Sequence, residues 1–512
     1  MSTNKTKATV PVETPSGNKY LYDRKLKKSV LAHPILFFLA RLKAKGDNIN
    51  DWFDSQTGKT IDIPDAGTFS KEEVEYYIRK LQFLEVSGFF KEIAQDKILT
   101  RKLNVDAITT VLANLRQITF ELTDSCQMNC YYCGYGQLYN NYDSRENKMM
   151  DFDTARKAID YVNNQVNSSL NVSHKRDLYM GFYGGEPLLN FSLIQKIVEY
   201  VNQLHWEHNS IRFTITTNGL LLDKYMDFIK EHNFNTFISL DGDQSNSEYR
   251  VLKNGEPTFD RVIRNVELLK EKYPDYFKER VFFNAVLHNK NSVEELFNFF
   301  KKKFDKLPGI LPLNTGGIRE DRIEEFKKAF VDQAESLNSS KDYTKIEKEM
   351  FVKLGMIQSV TNFMFSSLDF WYDDYNHFFT PEKVPPRFPS DTCMPFAQKM
   401  FVTVNGKILG CERIGHEYEL GWVTPESIKI DFPEIVDKYN AWHDKIRKKC
   451  QVCYIFNQCS QCMFYLDLTK ENPVCDRFKD FNAYSKYAGF FFDYFEKRPG
   501  LFDRILKEVL IG

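Results

Sequence analysis

Between Gln117 and Leu287 the hydrophobic positions follow two alternating rhythms. Short runs rich in β-branched and aromatic residues, Gln117–Leu122, Leu178–Tyr183, Arg212–Thr217, Thr236–Leu240 and Val281–Leu287, predict strands. Between them apolar residues recur at helical spacing: Ala155, Ala158, Ile159, Val162 and Val166 in one stretch, and Ile194, Ile197, Val198, Val201 and Leu204 in the next. A further helix starts at the capping box Ser292–Glu295. Strands alternating with amphipathic helices predict a parallel sheet with helices outside, open or closed into a barrel. In such folds chemistry gathers at the C-terminal ends of the strands.

The flanks read differently. Residues 1–17 are polar, with Pro and Thr, and are expected to form a flexible tail. Residues 18–112 are expected to be a small winged-helix-like domain. Tyr20–Leu31 is extended, Pro34–Lys45 is a helix with Pro in its first turn, and Ser70–Glu73 caps a helix that Gly88 ends. A packing extension of the barrel is the alternative. Residues 113–310 form the barrel unit, 311–385 a bridging helical segment, 386–478 a loop-rich domain and 479–512 terminal helices. The loop-rich part has few long apolar runs and needs metal to staple it.

Charge narrows the function. The 512 residues carry 69 Lys and Arg against 70 Asp and Glu, a net charge of −1, so no broad nucleic-acid footprint is expected. The run Arg24, Lys25, Lys27, Lys28 is too short for one and reads as a solvated turn. No apolar run approaches membrane-spanning length, and the start lacks the apolar core of a secretory signal, so no membrane partner and a cytoplasmic location are expected. Cytosolic thiols stay reduced, which favours metal ligation over disulfides.

The ten cysteines carry the main signal. Cys126, Cys130 and Cys133 follow the first predicted strand with spacing C-x3-C-x2-C, and Tyr132 precedes the last. Three thiolates on one loop can hold three irons of a 4Fe–4S cluster and leave the fourth open. A zinc site needs a fourth ligand, and His174 and His205 are not in ligand-like spacing. The other seven are Cys393, Cys411, Cys450, Cys453, Cys459, Cys462 and Cys475. Two C-x2-C pairs among them also fit a zinc ribbon.

The cysteine loop resembles the defining loop of the radical S-adenosylmethionine enzymes. Further marks lie in order at strand ends: Gly184-Gly185-Glu186-Pro187, Thr217-Asn218-Gly219, Ser239-Leu240-Asp241-Gly242, and then Arg250. The resemblance implies a partial (β/α)6 TIM-like barrel, with the open iron chelated by S-adenosylmethionine. Gly184 and Gly185 would admit its methionine portion, Glu186 would accept from its ammonium, and Ser239 and Arg250 would hold ribose and carboxylate. Tyr132, Pro187 and Asn218 complete the implied cofactor site. The cofactor would yield a 5′-deoxyadenosyl radical.

The distal cysteines resemble the SPASM extension, which holds two auxiliary clusters in relatives that modify peptides. That order implies Cys393, Cys411 and Cys462 for the nearer cluster, and Cys450, Cys453, Cys459 and Cys475 for the farther one. Full ligation of three cubanes takes eleven cysteines and the chain has ten, so either one iron is open or a group such as Asp391 ligates it. Glu412 follows Cys411 where sulfatase maturases carry an Asp base, and is the candidate base. The N-terminal domain loosely resembles leader-binding domains, which take a peptide as an added strand. The expected function is a maturase of a ribosomally made precursor, fed by a reductase, flavodoxin or ferredoxin. The alternatives are an anaerobic sulfatase maturase and a non-catalytic, zinc-stabilised peptide-binding adaptor.

Overall fold

The computed structural model describes residues 5–367 and 386–510. Six parallel strands form the centre: β1 (Gln117–Glu121), β2 (Arg176–Tyr183), β3 (Asn209–Thr217), β4 (Asn235–Ser239), β5 (Val281–Leu287) and β6 (Gly309–Pro312). They lie side by side in chain order, with Ile118 opposite Met180 and Phe120 opposite Phe182 in the first pair. The helices that follow β1 and β2 are Phe152–Val166 and Phe191–Gln203, and each buries the apolar stripe read from the sequence except Leu204, which caps the second helix and is half-buried. Asp151 caps the first by accepting from the Thr154 amide at 2.7 Å. The mixed α/β fold with its partial parallel barrel is as expected, and β6 is an additional strand too short to announce itself by alternation.

The barrel sheet does not stop at β1. Strand β7 (Met400–Val402) pairs in parallel with β1, setting Met400 against Ile118. Strands β8 (Lys407–Leu409), β9 (Gly421–Val423) and β10 (Ile428–Lys429) continue antiparallel from it. The cysteine-rich segment is therefore hung on the barrel by backbone hydrogen bonds, which fixes where its loops face. The segment 311–385 opens with the end of β6 and a loop, turns helical from Glu320 to Ser367, and its remainder, 368–385, lies outside the described residues.

The expected flexible tail is corrected. Lys5–Lys7 pairs with Glu92–Ala94, and Thr9–Glu13 pairs with Lys19–Asp23. Val10 and Val12 are completely buried in the main core. Alternating Thr9, Val10, Pro11, Val12, Glu13 is a strand pattern that the polar flanks conceal. The outer edge of this strand is covered by the helix Phe481–Glu496, whose Ser485 hydroxyl donates to the Pro11 carbonyl at 2.6 Å. Lys28–Leu31 completes the three-stranded sheet at the opposite edge, beyond which no strand pairs among the described residues. Helices Pro34–Lys45 and Lys71–Val86 pack together in a separate small core. Nor is the basic turn fully solvated: Arg24 is buried, stacks 4.4 Å from the Tyr454 ring and donates to the Tyr454 carbonyl at 2.8 Å.

Val10→Ala is expected to lower global stability by about 2 kcal/mol, the loss of two buried methyl groups together with a residual cavity, in urea unfolding. An unchanged midpoint would return the segment to the status of a tail.

Candidate active site

The loop after β1 is fastened by a side chain near its start. Asp124 accepts from the amides of Glu146 and Lys148, both at 2.8 Å, which closes the long excursion that follows the cysteines. The amides of Asn129 and Tyr131 donate to Val251 and Tyr249, lashing the cysteine loop to the segment after β4. Within it, Cys133 N–H donates to the Cys130 carbonyl at 3.1 Å, a tight turn that brings the thiols to one side. Donors point at the sulfurs. Met128 N–H lies 3.4 Å and Asn218 Nδ2 3.5 Å from the Cys126 sulfur, and Arg145 Nη2 lies 3.2 Å from the Cys133 sulfur. Such donors stabilise thiolates and suit metal-bound sulfur. Burial pushes the free Cys130 thiol up to about 12, so a cationic partner is what would hold it deprotonated.

The loop after β2 docks directly on this one. Gly184 has φ +123°, and a Cβ on Gly184 or Gly185 would overlap the carbonyl oxygens of Thr123 and Ser125 respectively. The space left by the missing side chains is thus filled by the cysteine loop. Gly185 N–H and Glu186 N–H donate to those same carbonyls, both at 2.8 Å. Glu186 is fully buried. Its carboxylate accepts from Thr217 Oγ1 at 2.8 Å, Asn218 N at 2.7 Å and Leu188 N at 3.1 Å, tying β2 to β3. A carboxylate offers about four acceptor positions, so one is spare for an ammonium. Burial lifts the carboxyl to about 7 against the pull of these donors and of Arg250. Pro187 begins the buried turn that follows.

A second buried network closes the far side. Arg250 Nη1 donates to the Tyr132 hydroxyl at 2.9 Å, and Tyr132 in turn donates to Asp241. His288 Nε2 lies 3.6 Å from Asp241. Burial opposes charge on Asp241, but His288, Arg250 and Tyr132 outweigh it and hold the carboxyl below its ordinary range. Tyr132 is therefore a packing and hydrogen-bonding post of the loop. Asp241 and His288 were not singled out from the sequence, although Asp241 stands in the Ser239–Gly242 motif. Ser239 is half-buried at the end of β4, with no side-chain hydrogen bond among the described residues.

The distal cysteines fall in two places. Cys450, Cys453, Cys459 and Cys475 line one apolar cavity with Ile446, Ile455 and Phe478. Cys393, Cys411 and Cys462 lie instead within electrostatic reach of the buried Tyr439 hydroxyl. Burial raises the Cys393 and Cys462 thiols, and the nearby Asp391 carboxylate adds to both shifts. Among the described residues no three His, Cys, Asp or Glu side chains converge on a single ion. A cubane imposes no such convergence, because each thiolate meets a different iron.

Glu412 is already engaged. It pairs with Lys399 at 2.7 Å, and although burial raises its carboxyl, Lys399 draws it below the usual range. That makes it a weaker base than its position beside Cys411 suggested. Glu121, unnoticed in the sequence, is the contrasting carboxylate. It is buried at the end of β1, accepts from the Tyr135 hydroxyl and from Val404 N at 2.9 Å, and burial shifts it upward. Its only sequence signal is a Glu at the C-terminal end of the first strand of the barrel. Tyr183, at the end of β2, senses both Cys133 and Glu412, so the cysteine-rich domain faces the barrel mouth.

Residues 120–302 match the model of the Radical SAM superfamily. Over 157 residues the chain is 37% identical to an uncharacterized protein of Methanocaldococcus jannaschii, covering 30% of this chain and 49% of that one. Over 224 residues it is 25% identical to a radical SAM cyclopropyl synthase of Paramaledivibacter caminithermalis, covering 42% and 43%. It thus spans about half the length of these two relatives. A cysteine-type anaerobic sulfatase-maturating enzyme of Clostridium novyi is 23% identical over 402 residues, which cover 72% of this chain and 95% of the relative. Among solved structures, anSMEcpe with bound AdoMet aligns at TM-score 0.52 and 18% identity over 77% of this chain and 96% of that one, a likeness of fold.

Gly185→Ala is expected to force the two loops apart. Thermal unfolding should show a loss of about 1–3 kcal/mol, and the loop amides at Gly185 and Glu186 should exchange faster. Unchanged exchange would show that the glycine is not needed for docking.

Proposed function

Taking residues 120–302 as a radical SAM domain, we propose that the chain is a peptide maturase. It would install a crosslink or another C–H-derived change in a ribosomally made precursor. The observation that carries this reading is the unpaired edge of Lys28–Leu31, in a head whose other edge is sealed by the helix Phe481–Glu496. An extended leader could add as a strand at this edge of the three-stranded sheet, near the helix Lys71–Val86, whose Tyr77 stacks 4.4 Å from His33. A relative named as a cyclopropyl synthase supports a C–H-derived product. Formylglycine formation on a sulfatase is the second reading, favoured by the 95% coverage of the Clostridium novyi relative.

Cys126, Cys130 and Cys133 would hold the cluster, and Glu186, Asn218, Ser239 and Arg250 would hold S-adenosylmethionine. When bound and reduced, this pair supplies a 5′-deoxyadenosyl radical able to take hydrogen from an unactivated carbon. The chain's own residues orient and exclude. Glu186 offers its spare lone pair to an ammonium, and the planar fork of Arg250 suits a carboxylate. Tyr183 and Glu412 wall the mouth against solvent. Of the two carboxylates near it, Glu121 is the better placed by environment to take a proton, since burial raises it while Lys399 lowers Glu412. The distal cysteines would hold two auxiliary clusters, and a reductase, flavodoxin or ferredoxin would supply electrons.

With dithionite and S-adenosylmethionine the protein is expected to form 5′-deoxyadenosine, and Cys126→Ala, Cys130→Ala and Cys133→Ala are each expected to abolish it. A native rate in the triple variant would dismiss the site. Binding of S-adenosylmethionine should weaken as pH falls through about 7, by at most tenfold per unit, because protonated Glu186 cannot pair with the ammonium. Glu186→Gln should bind weakly at every pH, and a pH slope that persists in it would assign the dependence elsewhere. Amide exchange read with the precursor of the neighbouring gene should show protection at residues 28–31. Formylglycine formed in a sulfatase peptide, with no such protection, would favour the second reading.

A further inference from the structure

A cleft of about 880 Å³ lies on the opposite side of the head from Lys28–Leu31, between the helix Pro34–Lys45 and the helix Phe481–Glu496. Four cations line it, Lys7, Arg41, Lys45 and Lys486, against one carboxylate, Glu13. That carboxylate is already paired with Lys19 at 2.9 Å. Lys7 reaches the Ala44 carbonyl, but Arg41, Lys45 and Lys486 have no ion-pair partner among the described residues, and all three are exposed. The chain as a whole is balanced at −1, so this local excess is not an average property. Aromatic rings of Phe37, Tyr454 and Phe481 form the floor.

Unpaired cations beside aromatic rings, in a concave site of about 880 Å³, call for a chain bearing both carboxylates and apolar groups. We propose that this cleft binds an acidic segment of the peptide substrate, a second grip separate from strand addition. The proposal rests on the peptide-maturase reading and names the charge of its substrate. Its floor includes Tyr454, next to Cys453, so a peptide held here would also brace the head against the cysteine-rich domain. Both walls are rigid helices, so the site is formed before the peptide arrives.

The test uses the full chain and a fluorescein-labelled decaglutamate peptide, read by anisotropy. Binding is expected to be salt-sensitive, falling as the Debye length shrinks below about 10 Å above 0.1 M salt. The triple variant Arg41→Glu, Lys45→Glu, Lys486→Glu should bind about tenfold more weakly or worse, while the neutral triple variant to Gln should fall between it and the native protein. Labelled decalysine should not bind. Equal affinity of native and charge-reversed protein, with matching melting curves, overturns the proposal. So does displacement of the peptide by equimolar inorganic phosphate, which marks a small-anion site. The readout needs neither catalysis nor edge pairing. Peptide binding without any peptide modification would therefore fail the maturase reading and leave the cleft standing, and the converse result would do the reverse.

Discussion

The docking of the β2 loop on the β1 loop is the contact on which the site depends. Two successive amides, of Gly185 and Glu186, donate to the carbonyls of Thr123 and Ser125, and no side chain fits between. Once that pairing is made, the Glu186 carboxylate lies where β3 delivers Thr217 and Asn218, and Asn218 in turn reaches the Cys126 sulfur. Three strand ends are thereby locked into one rigid rim before any cofactor binds. Preorganisation of this kind puts the cost of ordering into folding, not into cofactor binding.

The second constraint is the parallel pairing of β7 with β1. It turns the cysteine-rich segment from an appendage into an extension of the barrel sheet. Cys411 and Glu412 follow directly from β8, so their position over the barrel mouth is set by strand register. The head is joined in a different way. Val10 and Val12 enter the main core, and Arg24 is clasped by Tyr454. A peptide held by the head would be carried by a body that cannot drift far from the catalytic rim.

Much of this was legible in the sequence where local chemistry decides. The strands from β1 to β5 fall within a few residues of their predicted spans, because alternation and helix periodicity are local signals. What escaped was non-local. Residues 5–13 look polar in isolation and become strands only by pairing with Glu92–Ala94 and Lys19–Asp23, the second packing under a helix some 470 residues later. Three-residue β7 has no period to read and exists because β1 offers an edge. The docking role of Gly184 and Gly185 is non-local too, since the oxygens that exclude a side chain there come from another loop. Glu121 and His288 were missed because a single buried polar residue is invisible until its neighbours are known.

The most direct measurement is metal and sulfide content of anaerobically prepared protein, compared with a variant in which Cys450, Cys453, Cys459 and Cys475 are all Ser. Three cubane clusters predict about twelve irons and as many inorganic sulfides per chain, with the variant losing about a third of both and keeping the cluster of the β1 loop. Stoichiometric zinc without inorganic sulfide would contradict the account.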